Sequence, residues 1–304
     1  MTCTFTIVPA STQAAKETIR ILLSDASKPR VRAIYRDPSK APTEFTSNSN
    51  FTALQGDVTT GKGLDFIGSD AVFYIPPPFF DPGDQTLADL AAAAANHVKQ
   101  ALEKAPSVKR LLLFSSMGAE NDHGIGILKI NHISDKILKT AAPEVVIVKP
   151  GYFQENWARA FETARAEHAF FDSPLSPIDN ALPMVSIKDV GRVCARKLLE
   201  LSVPLPERTY FFELFGPRHY SVRDVQLAVE EIVGKKVDVV LIEKEKLGEY
   251  FAGMEVPESV VREMVEFTTA ALPGGVMYQK FDGDERTVRG EVELVDALRA
   301  VYTA

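Results

Sequence analysis

Two cations four residues apart, Arg36 and Lys40, follow the apolar run "VRAIY" in the segment "YRDPSK". A guanidinium and an ammonium held close together suit a phosphate monoester: the planar fork of arginine grips oxygens in pairs, and lysine adds a point charge. The other reading is a pair of solvated surface cations. Upstream, the apolar stretch "TFTIV" (4–8) runs into the turn "PASTQAA" (9–15), and helical spacing begins directly after it. A helix N-terminus attracts anions through its free N–H groups and its macrodipole, and neither depends on glycine. Ala10, Ser11, Thr12 and Gln13 are therefore candidates to hold a pyrophosphate, with the Ser11 and Thr12 hydroxyls as donors and Thr12 in direct contact. The alternative is a helix capped by Ser11 or Thr12 that binds nothing.

Further along, "GDV" ends a third apolar run. Asp57 can accept from an adenine amino group while Val58 packs on the ring; an aspartate that only caps the strand end is the competing reading. A fourth run ends "YIPPPFFDPGDQ". Consecutive prolines make a stiff segment with no N–H groups. Ile75, Pro76 and Pro77 would wall a nicotinamide ribose, and Phe79 and Phe80 would extend that wall toward a substrate, unless the segment is only a rigid connection. Taken with Arg36 in place of an acidic ribose ligand, the set points to NADP(H) over NAD(H).

The elements that must carry these residues alternate. Apolar runs at 4–8, 31–36, 51–58, 71–75, 110–116 and 145–151 read as strands. Between them, Ile19, Leu22 and Leu23 mark one helix face, and Leu87, Leu90, Ala94, Val98, Ala101 and Leu102 mark another. Residues 129–140 read as a helix with Ile130, Ile133 and Ile137 as its apolar stripe. This alternation predicts an α/β fold, a doubly wound parallel sheet, whose ligands bind beyond the carboxyl ends of the strands. The second half is less regular. "ARAFETARAEHAFFD" (158–172) reads as a helix and 173–183 as a proline-rich loop. A helix enters at Asp189 as N-cap, "YFFELFG" (210–216) is a strand, Ser221 starts a helix, and "KVDVVLI" is a strand. The remainder reads as helical around "LPGGV".

The chain of 304 residues is 45% hydrophobic and 25% charged, enough for one large or two smaller domains. A net charge of −7 argues against nucleic acid or an anionic membrane as partner. No segment has the length and hydropathy of a membrane span. With no leader-like N-terminal segment, the expected location is cytoplasmic. Cys3 and Cys194 read as buried thiols, no cluster has metal-ligand spacing, and no G-x-S-x-G supports an esterase.

In order and spacing, "VRAIYRDPSK", "LQGDV", "VKRLLLFSSMGA", "VVIVKPGYFQENW", "VSIKDVG" and "LFGPRHYSVRDV" resemble the NmrA-like proteins, atypical short-chain dehydrogenase/reductases, and their fungal members most. The resemblance spans nearly the whole chain. It implies an NAD(P)-binding Rossmann domain (1–153, its sheet completed by strands within 183–214) and a smaller C-terminal α/β substrate region (154–182 and 215–304). Two departures stand out. Pro9, Thr12 and Ala15 occupy the glycine positions of the family's G-x-x-G-x-x-G turn, and the short-chain Tyr-x-x-x-Lys pair is absent. Where that pair would lie, "NHISD" is similar to a His-then-acid pattern of quinone-reductase-like members. It proposes His132 as proton donor, histidine being the side-chain type that titrates near neutrality. Lys129 on the same helix face would orient the nicotinamide ribose. Ser115 and Ser116 end a strand where short-chain enzymes keep a serine, which places Ser115 beside the cofactor and Ser116 among the catalytic groups, with Met117 next to the substrate. Each also reads as an ordinary helix or strand-end residue. After the bend at Pro150 and Gly151, Phe153 would face the cofactor, and Tyr152, Asn156 and Trp157 the substrate. Trp157 also reads as a core anchor.

The expected function is an NADP(H)-dependent oxidoreductase acting on a hydrophobic cyclic or conjugated small molecule. The context would be a fungal natural-product tailoring pathway, by net reduction or by transient redox coupled to cyclisation. The alternatives are a quinone reductase and an NADP(H)-sensing regulator of NmrA type without turnover.

Overall fold

The computed structural model describes residues 2–303 apart from 80, 165, 255, 279 and 280. In chain order the elements are β1 (Thr4–Val8), α1 (Gln13–Ser24), β2 (Arg30–Tyr35), α2 (Thr43–Thr46), β3 (Phe51–Gln55), β4 (Ala71–Tyr74), α3 (Leu87–Glu103), β5 (Arg110–Phe114), α4 (Lys129–Leu138), β6 (Glu144–Pro150), β7 (Tyr152–Phe153), α5 (Ala160–Ala164), β8 (Phe170–Ser173), β9 (Leu182–Val185), α6 (Ile187–Leu199), β10 (Thr209–Phe215), β11 (His219–Tyr220), α7 (Val222–Val233), β12 (Asp238–Leu241), α8 (Leu247–Ala252), α9 (Glu258–Ala271), β13 (Thr287–Arg289) and α10 (Leu294–Tyr302).

Eight strands form one sheet in the order β13-β10-β6-β5-β4-β1-β2-β3. The registers from β3 through β2, β1, β4 and β5 to β6 are all parallel. The 3-2-1-4-5-6 run is the doubly wound arrangement, and its order reverses between β1 and β4. Every residue of β4 and β5 is buried, as strands covered on both faces must be. The apolar line of α3, Leu87, Leu90, Ala94, Val98, Ala101 and Leu102, is buried throughout. Its later part, Ala94, Val98, Ala101 and Leu102, packs into a core with Ile34, Val58, Val72, Tyr74, Leu111 and Leu113.

Two compact units divide the chain: Met1–Ala119 with Lys129–Lys149 and Val190–Phe212, and Glu120–Leu128 with Pro150–Asp189 and Glu213–Ala304. In the first unit, Gly191 of α6 lies against α1, where a Cβ would come within 2.4 Å of the Glu17 Cβ. Arg110 is buried at the start of β5. Its guanidinium binds Glu144 at 2.7 and 2.9 Å and the carbonyls of Lys197, Glu200 and Val203 at 2.8–3.1 Å, which fastens the end of α6 to the sheet. The second unit carries a small sheet, β11-β9-β7, and the parallel pair β12-β8.

Several local expectations are corrected. The stretch 158–172 is not one helix. Its helical part is the end of a 3-10 segment, Gln154–Arg159, and the short helix Ala160–Ala164, while Phe170–Ser173 is a strand paired with β12. Asp189 is not an N-cap. It lies inside the first turn of α6, fully buried, and accepts the N–H groups of Glu291 and Val292 at 2.9 Å. The cap position belongs to Ser186, whose hydroxyl oxygen accepts the Lys188 N–H at 3.2 Å, and the Glu155 carboxylate backs it by taking the Ile187 N–H at 3.0 Å and the Ser186 hydroxyl at 2.6 Å. On α4 the buried line is Ile130, Ser134 and Leu138. Ile133 and Ile137 are only half-buried. The C-terminal stretch read as helical includes β13. Ser221 does start α7, with a capping box to Asp224.

Candidate active site

The first unit places the sequence candidates at the strand ends around the switch point. After β1, Ala10 is fully buried and donates its N–H to Ile34 O at 2.8 Å. Ser11 and Gln13 are exposed. Thr12 is the N-cap of α1, and its hydroxyl oxygen accepts the Ala15 N–H at 3.2 Å. Capping uses the oxygen as acceptor, so the hydroxyl proton remains to donate. The first turn of a helix leaves N–H groups without intrahelical acceptors, and α1 offers these beside two exposed polar side chains. Ala15, at the third glycine position, is fully buried; a methyl group is accommodated there.

At the end of β2 both Arg36 and Lys40 are exposed. No carboxylate of the described residues pairs with the Arg36 guanidinium. Asp37, the next residue, is turned into its own chain, where it accepts the Ser39 hydroxyl at 2.6 Å and the Ser39 N–H at 3.0 Å. Those hydrogen bonds hold its carboxyl below the ordinary value. After β3, Asp57 is half-buried and closes a tight loop, with one oxygen accepting the Thr59 N–H at 2.8 Å. Val58 is 4% exposed, its side chain in the core with Ile34 and Val98. What it presents to a ligand is therefore backbone. After β4, Ile75 extends the ladder across the switch point by donating to Val8 O at 3.0 Å. Ile75 and Pro76 are buried and Pro77 half-buried. Phe79 leans on the same core, and Phe80 lies outside the described residues.

After β5, the buried Ser115 donates its hydroxyl proton to Asp135 of α4 at 2.6 Å. Ser116 donates to the Met117 carbonyl at 3.0 Å, and Met117 is buried. Lys129 opens α4 and is half-buried. His132 sits one turn along, half-buried, with Nδ1 2.9 Å from the Ala119 carbonyl oxygen. A carbonyl only accepts, so Nδ1 carries the hydrogen and any proton His132 passes on leaves from Nε2. Beneath these, Tyr74 is fully buried; burial raises its phenol, and its hydroxyl faces Ser134 without a hydrogen bond of standard geometry.

In the second unit, Pro150 and Gly151 are buried at the end of β6. Gly151 donates to Leu214 O at 3.0 Å, and a Cβ there would meet the Pro183 carbonyl oxygen at 2.6 Å. Phe153 is half-buried on β7. Tyr152 packs edge-on against Trp157, and burial raises its phenol to about 12. Trp157, 6% exposed, stands between Tyr152 and Phe171, and Asn156 is exposed. Asp135 and Asp37 are the side chains that the sequence candidates lacked. The acid of "NHISD" and the acid beside Arg36 were visible, but their partners were not.

The donor set fits a dinucleotide. It offers a helix N-terminus for the pyrophosphate, an unpaired guanidinium one strand away, and a carboxylate on the next. Among the described residues no group of His, Cys, Asp and Glu could hold a metal ion, and no helix is long and apolar enough to cross a membrane.

The fold is shared with proteins that bind NADP(H). The fold is similar to an NADPH-dependent quinone oxidoreductase from Escherichia coli, crystallised with NADPH (TM-score 0.73, 17% identity, covering 98% of this chain and 99% of that one). It is similar to the triphenylmethane reductase of a Citrobacter species (0.73, 15%, 99% and 100%). NmrA, a negative transcriptional regulator solved with NADP, is also similar (0.67, 16%, 99% and 91%). No curated protein sequence matches. Residues 10–200 match the NAD(P)H-binding family, and the chain belongs to that family.

Proposed function

We propose that this chain is an NADP(H)-dependent oxidoreductase of the atypical short-chain type that acts on a hydrophobic cyclic or conjugated small molecule. Its setting would be the tailoring steps of a fungal natural-product pathway. The observation that carries the cofactor choice is the end of β2. Arg36 is exposed and unpaired, while Asp37, which could otherwise hold a ribose diol, is tied to Ser39. An arginine so placed suits a 2′-phosphate, and a sequestered acid does not compete for a 2′-hydroxyl.

A bound reduced nicotinamide supplies a hydride, and the protein must orient the reactants, exclude water and provide a proton. His132 is the group assigned to the last task in this reading. Its Nδ1–H is anchored on Ala119, which fixes the ring and leaves Nε2 as the delivering atom. Ser115, its proton committed to Asp135, presents its oxygen as an acceptor. Beyond the cofactor wall of Ile75 and Pro76, the apolar groups Phe79 and Met117 favour a flat apolar substrate. Quinones are one such class, and one structural neighbour is an NADPH-dependent quinone oxidoreductase.

A specific observation also favours a second reading, an NADP(H)-sensing regulator without turnover. The glycine positions are filled, and Thr12 is engaged in capping its own helix. NADPH consumption against a panel of quinones and iminium compounds separates the two. The enzyme reading predicts turnover that falls about a hundredfold in His132→Ala with NADPH affinity unchanged. Tight NADPH binding with no turnover across the panel supports the regulator, and equal turnover in His132→Ala removes the histidine from the reaction.

A further inference from the structure

The loop after β3 is unusually constrained. Asp57 donates to Lys62 O at 2.9 Å, Gly61 donates to Asp57 O at 2.8 Å, and the Asp57 side chain takes the Thr59 N–H at 2.8 Å. Gly61 and Gly63 have φ values of +72° and +69°, a region that L side chains rarely adopt. A Cβ on Gly63 would lie 2.4 Å from the Gln55 carbonyl oxygen, so the loop is folded back onto the strand it leaves.

One side chain from outside holds this loop. His97, on α3, has Nδ1 2.9 Å from the Val58 carbonyl oxygen, so Nδ1 carries the hydrogen and donates. The same ring fills the space beside Gly61: a Cβ there would come within 2.9 Å of His97 Cδ2. The helix around His97 cannot easily give way, because Ala94, Ala95, Val98 and Ala101 are buried in the core. Val58 is buried in that same core, so its side chain and its carbonyl are both anchored on α3.

We propose that His97 is a positioning residue for the adenine half of the nucleotide site. By pinning Val58 and packing on Gly61, it fixes the turn from which the Asp57 carboxylate meets the base. This rests on the dinucleotide reading above and assigns a task to a residue that acts through the loop it holds. A rigid donor on a buried helix pre-orders the loop before ligand arrives, and pre-ordering shows as affinity.

The test uses the full chain and calorimetric titration with NADPH and with adenosine 2′,5′-bisphosphate, which carries only the adenine half. His97→Ala is expected to weaken both ligands by the same factor, about tenfold, and to speed amide hydrogen exchange across 57–63. His97→Asn keeps a donor near the Nδ1 position and is expected to recover most of the loss. The proposal is overturned if His97→Ala binds the bisphosphate as the wild type does. It is equally overturned if NADPH suffers far more than the bisphosphate, or if the loop amides exchange unchanged. Failure of the wild type to bind the bisphosphate at all would instead sink the dinucleotide reading, and this inference with it. If His97→Ala does not fold, His97→Asn and His97→Leu, which differ in donor capacity, decide the matter by the same two titrations.

Discussion

Ser115 gives its hydroxyl proton to Asp135 across 2.6 Å, joining the end of β5 to the middle of α4. The direction of that bond turns the serine oxygen into a fixed acceptor at the strand end where the fold family binds its ligands.

Ser115, read as lying beside the cofactor, would orient its reacting ring and not grip its phosphates, so removing the carboxylate should disturb turnover before it disturbs cofactor affinity. Asp135→Ala is expected to lower kcat by roughly 10–100-fold, the weight of one hydrogen bond to a charged group. NADPH affinity should stay within about twofold. Asp135→Asn keeps an acceptor and should fall between the two. Steady-state turnover beside a binding titration checks this; a loss confined to cofactor affinity would reassign the pair to nucleotide binding.

Arg110 tests the architecture rather than the chemistry. It is 1% exposed and satisfies one carboxylate and three carbonyls. Arg110→Met leaves those carbonyls without their donor, and the expected loss is about 3–5 kcal/mol. Arg110→Lys, with one compact ammonium in place of the fork, should recover only part of it. Urea unfolding measures both, and a midpoint unchanged in Arg110→Met would contradict the account of α6 anchoring.

The cap of α7 predicts an acid-sensitive increment. Ser221 receives the Asp224 N–H, while Asp224 accepts the Ser221 N–H and hydroxyl at 2.7 Å. Burial pushes the Asp224 carboxyl up, but hydrogen bonds from Ser221 and Arg218 outweigh it, and the net shift is downward. A carboxyl lowered by folding contributes stability above its unfolded value of about 4, and loses it as pH falls through the folded value. Asp224→Ala should thus cost about 1 kcal/mol at pH 7 and progressively less below pH 4. The same cost at pH 7 and at pH 2 would show that the carboxylate's charge is irrelevant.

The core of the fold was legible because its strands obey a local rule. β4, β5 and β6 are covered on both faces, so each reads as an apolar run. α3 reads as a helix because its buried line keeps a helical period over the whole element. What escaped was set by distant partners. Phe170–Ser173 continues an alanine-rich helical pattern, yet pairs with β12 some 70 residues on. β13 is three residues long, too short to carry a periodic signal. Asp189 looks like a cap by sequence and is claimed by the backbone of Glu291 and Val292. In the candidate site, the residue types at the strand ends were readable one by one. The hydrogen bonds that give them direction, Asp37 to Ser39, Ser115 to Asp135 and His97 to Val58, were not, because sequence spacing carries no orientation.

The most direct test of the NADP(H) assignment is a titration of wild type and Arg36→Ala with NADPH and NADH at one fixed, low salt concentration, since screening erodes an exposed charge pair. The account predicts that wild type binds NADPH at least about tenfold more tightly, and that Arg36→Ala loses most of that preference while its NADH affinity barely moves. Equal affinity for the two nucleotides in the wild type, or an equal loss of both in Arg36→Ala, would contradict it.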